Sequence, residues 1–229
     1  MSLPRTTLVR HYDTHRLIPS KYSASGDSVL VRVAARDEDL AAIFDLDNAT
    51  NDRLLAENDL LPGIGPHELV FGIPYASIVN AAFCHAQPLG SRFNGPDRGA
   101  WYAAFALETA LAEVAFHKEV ELAEVDWVEE VVTYDDYLAD FSGDFHDIRG
   151  DPAFASCHDP DSYRAAQALA ERLLAAGSLG ICYSSARWSP GDCLACFRPA
   201  LVANVRKAVT WRFAWDRNGA LTVDAVDPL

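Results

Sequence analysis

The segment Gly90–His117, GSRFNGPDRGAWYAAFALETALAEVAFH, carries three structural signals in succession. Glycines at 90, 95 and 99, with Pro96 between them, mark a turn region whose backbone could approach a ligand closely. Residues 100–106 read as a short strand, which places Trp101 and Tyr102 on opposite faces of a sheet. From 107 to 120 the spacing is helical: Leu107, Ala110, Leu111, Val114 and Ala115 form one apolar face, with Ala112 and Phe116 opposite. A helix with two faces to bury, entered from a strand, points to a mixed α+β domain.

The polar residues of that helix are Glu108, Thr109, Glu113 and His117. Glu108 lies near the helix start, where a carboxylate favours the positive end of the dipole and needs no functional explanation. Glu113 is deeper and gets no such help. Burying its charge costs several kcal/mol, on the order of a whole domain's margin, unless it is paired or protonated. Two readings stay open: a partly exposed glutamate paired with His117 or Lys118, or a carboxylate at the edge of a ligand pocket.

Outward from this segment, residues 27–35 alternate like a strand and 37–46 suit a helix, while 61–66 (LPGIGP) are turn chemistry. Residues 76–84 form a short apolar segment, helix or strand. Residues 134–160, polar and rich in aspartate, read as an ordinary surface excursion or as a lid or insertion. DSYRAAQALAERLLAAG reads as a helix that Asp161 can cap and Gly177 can follow. Residues 179–183 read as a strand, 192–205 as a strand pair or one long bent strand, and 212–223 as a hairpin turning at Asn218-Gly219. No boundary divides the chain, so 1–229 is expected to be one domain, with a core at about 29–205 and a C-terminal hairpin within 206–229.

With 19 Lys and Arg against 33 Asp and Glu, the net charge is −14, which disfavours contact with nucleic acid or an anionic membrane surface. A small anionic ligand in a local arginine pocket remains compatible. The first twenty residues show no secretory h-region, no apolar run suits a bilayer span, and five cysteines without framework spacing suit a reducing cytoplasm. Cys193 and Cys196 form a C-x-x-C, but on a strand they point to opposite faces and cannot share a metal without a turn. His117, His146 and His158 lack ligand spacing, so no metal site is expected, and no G-x-G-x-x-G supports a dinucleotide fold of the dehydrogenase type.

Three features favour the pocket reading of Glu113. Arg92, in LGSRFNGPDRG, offers a planar fork that matches phosphate oxygens. Tyr102 follows in the next strand. In YSSARWSPG, Ser184, Ser185 and Arg187 come at the carboxyl end of a strand, where α/β-type sheets tend to hold ligands.

Taken together, GSRFN, RGAWYAAFALETALAEVAFH, GICYSSAR and GDCLACFRP resemble the RES domain family over roughly residues 29–205. The resemblance implies an ADP-ribosyltransferase-like core of short twisted sheets flanked by helices. It implies NAD as substrate rather than cofactor, and a toxin of a toxin–antitoxin pair, with a DNA-binding antitoxin and a homodimer as the expected protein contacts. It places catalytic roles on Glu113, Arg92 and Ser185, and NAD contacts on Arg92, Asn94, Tyr102, Ser184 and Arg187. Ser184 stands where the family usually has proline, so it could share the role of Ser185.

The implied reaction breaks the nicotinamide–ribose bond through an oxocarbenium-like state that Glu113 stabilises. Arg92 and Arg187 would grip the pyrophosphate, Tyr102 would stack on a base, and Ser185 would position ribose or nicotinamide. Water, inorganic phosphate or a protein side chain could accept the ADP-ribosyl group, giving a glycohydrolase, a phosphorylase or an ADP-ribosyltransferase. A non-catalytic module that binds ADP-ribose or a protein on the same fold is the alternative class.

Overall fold

The structure, a computed structural model, describes residues 2–23, 63–125 and 129–226. The strand and helix expected at 27–35 and 37–46, and the start of the 61–66 turn, lie outside the described residues. Among those described, the elements run β1 (Thr6–Pro19), α1 (Ala76–Cys84), β2 (Trp101–Ala104), α2 (Leu107–Glu124), β3 (Glu130–Asp147), α3 (Arg164–Ala175), β4 (Gly180–Ser184), β5 (Asp192–Cys196), β6 (Ala203–Trp215) and β7 (Leu221–Val226). The class is α+β, as the sequence indicates. The 76–84 segment resolves as a helix, and 192–205 as two strands separated by a short 3₁₀ turn at Pro199–Leu201.

β3 is the spine of the sheet. It pairs antiparallel with β1 along one edge; along the other it pairs with β6 and then, in parallel, with β4 at His146–Ile181 and Asp147–Cys182. β2, β5 and β4 are successive antiparallel neighbours, and β1 meets β2 at His15–Ala104. The pairings therefore run β1–β2–β5–β4–β3 and back to β1, with β6 and β7 extending from β3.

Residues 134–147, expected as part of a loop or lid, belong to this central strand. The aspartates that make the segment look solvated are buried beside partners: Asp135 meets Lys207 at 2.8 Å, Asp136 meets His15 at 2.8 Å, and Asp147 meets Arg149 at 2.8 Å. Alternation with Tyr137, Ala139, Phe141 and Phe145 supplies the apolar face. Only 148–160 remains irregular, tightened by a 3₁₀ turn at Pro152–His158. β1 also extends the core to the N-terminal side of residue 29. Its period is broken by a register shift between His11 and Thr14, with Asp13 at φ 60°, so no clean alternation marks it as a strand.

Two apolar cores flank the sheet. On one face Tyr102, Ile181, Tyr183, Cys193 and Ala195 pack with α2 and α3; on the other Trp101, Cys182, Leu194 and Cys196 pack with α1. Trp101 and Tyr102 thus face opposite ways, as do Cys193 and Cys196. α3 begins at Arg164 without a side-chain cap; Asp161 instead donates its N–H to Asp159 at 2.9 Å, correcting the expected cap. Gly177, at φ 78°, does follow the helix end. The hairpin is present, with Trp215 opposite Leu221 across the Asn218-Gly219 turn, but its first strand is a full member of the sheet.

Candidate active site

The β4–β5 connection leaves the sheet at Ser184 and folds back over the start of α2. Gly191 makes this approach feasible: a Cβ there would stand 2.3 Å from Thr109 Oγ1. Within the connection, Ser185 Oγ accepts hydrogen bonds from Arg187 N and Trp188 N, both at 3.0 Å. With its acceptor side occupied, the hydroxyl donates to Glu113 Oε1 at 2.5 Å. Glu113 projects from the middle of α2 with its side chain 24% exposed, neither solvated freely nor sealed in the core. Its second oxygen lies 3.9 Å from His117 Nε2, so the pairing seen in the helix spacing is long, and the serine is the principal partner.

Arg92 is buried and reaches the same region from the glycine-rich turn. Its Nη1 donates to the carbonyls of Cys157 (3.1 Å) and Asp159 (2.8 Å), and its guanidinium lies 4.7 Å from the Tyr163 ring centre. Arg187 stacks on Phe116 at 3.4 Å and donates from Nη2 to Pro160 O at 2.9 Å. Its Nε is buried with no partner among the described residues. The two guanidiniums thus converge on one short segment, 157–160, beside the Glu113–Ser185 pair.

Tyr102 and Asn94 are tied to each other and to the turn that carries Arg92. The Tyr102 hydroxyl accepts from Phe93 N and donates to Asn94 Oδ1, each at 2.8 Å, while Asn94 Nδ2 donates to Gly95 O at 2.7 Å. Burial raises the phenol's pKa well above its ordinary value, which keeps this donor protonated. Together they clamp the turn that presents Arg92. The glycines have a similar use: Gly90, at φ 72°, faces Asn94 O, and Gly99 packs on Ala82 O, so both make room for the protein's own backbone.

Ser184 is not brought into the cluster. Its hydroxyl donates to Asp192 at 3.2 Å, and Asp192 in turn accepts from Arg149 at 2.9 Å. Ser184 is the last residue of β4 and turns to Asp192, whereas Ser185 follows the strand's end and turns to Glu113. A cleft of about 330 Å³ adjoins that network, lined by Thr7–His11, Phe105, Arg149 and Asp192. It contains neither Glu113 nor Ser185, so side-chain chemistry rather than cavity size locates the site.

The cluster's fields are visible in its neighbours. The His117 imidazole is held below its usual pKa, first by desolvation; the Glu113 charge opposes this, and the Arg187 and Arg92 charges reinforce it. The Cys193 thiol beneath the site is pushed up by burial and then by the Glu113 charge, so it is an inert packing group. Sequence reasoning missed Tyr163, Phe116 and the 157–160 carbonyls. Two aromatic side chains and three peptide oxygens carry no local signature; only the fold brings them to the arginines.

Fold and site together define a mixed α+β domain organised around an arginine, a helix glutamate and a serine at a strand's end. The RES domain sequence model matches residues 69–216, and the chain belongs to that family. The match starts later and ends further along than 29–205, taking in the whole of β6. No curated protein matches the chain. Among solved structures, a chain of the M. tuberculosis MbcT–MbcA toxin–antitoxin complex is similar at 11% identity, with 90% of this chain and 85% of that one covered and a TM-score of 0.47.

Proposed function

We propose that this protein cleaves the nicotinamide–ribose bond of NAD, as a glycohydrolase or phosphorylase, in the role of a toxin held by an antitoxin. The observation that carries the reading is the 2.5 Å contact of Ser185 Oγ with Glu113 Oε1, flanked by Arg92 and Arg187. As nicotinamide departs with the bonding electron pair, positive charge develops on the ribose, and a carboxylate already fixed in place stabilises it without reorganising. Ser185 supplies the fixing and the helix supplies rigidity. The guanidinium charges of Arg92 and Arg187, both anchored on the 157–160 segment, suit a pyrophosphate, whose oxygens accept charge-assisted hydrogen bonds.

RES family membership supports NAD as the substrate and an antitoxin as the partner. No described helix is long and apolar enough to cross a membrane, and the acidic balance favours a small ligand over nucleic acid. The test is incubation with NAD, with and without inorganic phosphate, following free nicotinamide and the mass of the ADP-ribosyl product. ADP-ribose identifies water as acceptor and its phosphorylated form identifies phosphate. A mass increment on a protein identifies a transferase, and binding of ADP-ribose without nicotinamide release identifies a non-catalytic module.

A further inference from the structure

We infer that His117 is the general base of this site, taking the proton from the water that attacks the ribose as nicotinamide leaves. The inference rests on the NAD-cleaving reading above and assigns the group that handles the acceptor.

The geometry starts from the two oxygens of Glu113. Oε1 is occupied by the Ser185 hydroxyl, while Oε2 faces His117 Nε2 across 3.9 Å. That gap is too long for a direct hydrogen bond, and it suits an oxygen atom at about 2.8 Å from both atoms. An oxygen held there touches the carboxylate that stabilises the cationic ribose carbon, so it is adjacent to the carbon it must attack. The position therefore belongs to the nucleophile.

Of the two groups holding that oxygen, His117 is the better proton acceptor. An imidazole is intrinsically about two pKa units more basic than a glutamate carboxylate. Glu113 already receives the serine hydrogen bond and is needed as an anion beside the developing cation. The groups facing His117 are Glu113 on its own helix and, from the elements packed against α2, Arg187 of the β4–β5 connection and Arg92 of the glycine-rich turn; Phe116 borders its ring at 5.6 Å. Partial desolvation, reinforced by the two guanidiniums, outweighs the carboxylate and holds the imidazole below its ordinary pKa, so it is neutral and able to accept at physiological pH. The His117 side chain is 57% exposed, which lets the captured proton pass to solvent.

The step balances. The ribose–nitrogen bond breaks and its electron pair stays on nicotinamide, which leaves neutral. A bond forms between the water oxygen and the ribose carbon, and the water's proton goes to His117 Nε2 and then to bulk solvent.

The experiment is the pH dependence of nicotinamide release by the wild type and by His117→Gln. The expected result is a loss of kcat on the order of 10²-fold with KM for NAD unchanged. The wild-type rate should fall as pH drops below the ordinary imidazole range, and in His117→Gln that fall should move down to the carboxylate range. A variant that keeps wild-type kcat and the same acid limb overturns the assignment, as does a wild-type product that is phosphorolytic with a rate indifferent to the substitution. A wild type that releases no nicotinamide at any pH instead overturns the NAD-cleaving reading itself, and the base assignment falls with it.

Discussion

Arg92 and Arg187 hold adjacent peptide units of one segment: Arg92 donates to Asp159 O at 2.8 Å and Arg187 to Pro160 O at 2.9 Å. One arginine comes from the turn before β2 and the other from the β4–β5 connection, so the 157–160 segment ties together two loops that lead into neighbouring strands. Under the proposed function each arginine has two duties, closing the fold around the site and offering its guanidinium to an anion.

Arg92→Ala should therefore weaken NAD binding by about 10–100-fold, the equivalent of one or two charge-assisted hydrogen bonds. It should also lower the melting temperature, because the carbonyls of Cys157 and Asp159 lose their donor. Arg92→Lys separates the two duties, since a lysine keeps the charge without the fork. Calorimetry with NAD and thermal unfolding check both, and an unchanged affinity in Arg92→Ala removes it from the substrate site.

Glu113→Gln keeps the side-chain shape and an oxygen for the Ser185 hydroxyl, so the fold should persist with an unchanged melting temperature. Nicotinamide release should fall by on the order of 10²–10³-fold, the usual consequence of removing one preorganised electrostatic group. Wild-type turnover in this variant eliminates the carboxylate from the chemistry.

The two neighbouring serines should behave differently. Ser185→Ala removes the donor to Glu113 and the acceptor for Arg187 N and Trp188 N, so both the turn and the carboxylate lose their anchor. A drop in kcat is expected together with a stability loss of roughly 1–2 kcal/mol for the unsatisfied backbone donors. Ser184→Ala breaks only a contact with Asp192 and should leave turnover close to wild type. Side-by-side kinetics and thermal melts distinguish them, and equal losses of turnover in both place Ser184 back in the site.

The contrast between these serines also shows where sequence is informative. α2, β4 and the C-terminal hairpin follow from periodicity and turn residues, because their local pattern and their burial agree. β3 does not, because its buried aspartates pair with His15, Lys207 and Arg149, and nothing local announces those partners. In the site, Arg92, Glu113, Ser185 and Arg187 were legible as residue types in motifs. The supporting roles of Tyr102 and Asn94 depend on which atoms meet across a turn, and the face of Ser184 depends on where β4 ends. Those are properties of register and packing rather than of motif.

Away from the site, Glu68 should set part of the acid sensitivity of the fold. It meets Arg98 at 2.8 Å and Arg198 at 3.2 Å, and so joins the segment before α1 to the turn before β2 and to the residues just after β5. Burial alone would raise the Glu68 carboxyl pKa; the Arg98 hydrogen bond and the charges of Arg98 and Arg198 outweigh it, and the group ends below its ordinary value. A depressed folded-state pKa means that the unfolded chain binds the proton more readily. The stabilisation is then fully present above the unfolded carboxyl pKa and is lost as pH falls through the lower, folded one. Glu68→Gln, which cannot ionise, should be less stable than wild type at neutral pH by on the order of 1–2 kcal/mol. The difference should shrink as pH drops through the carboxylate range, until the two melting temperatures converge. Thermal melts of both proteins across that range decide it, and a difference that stays constant with pH assigns the effect to packing rather than to charge.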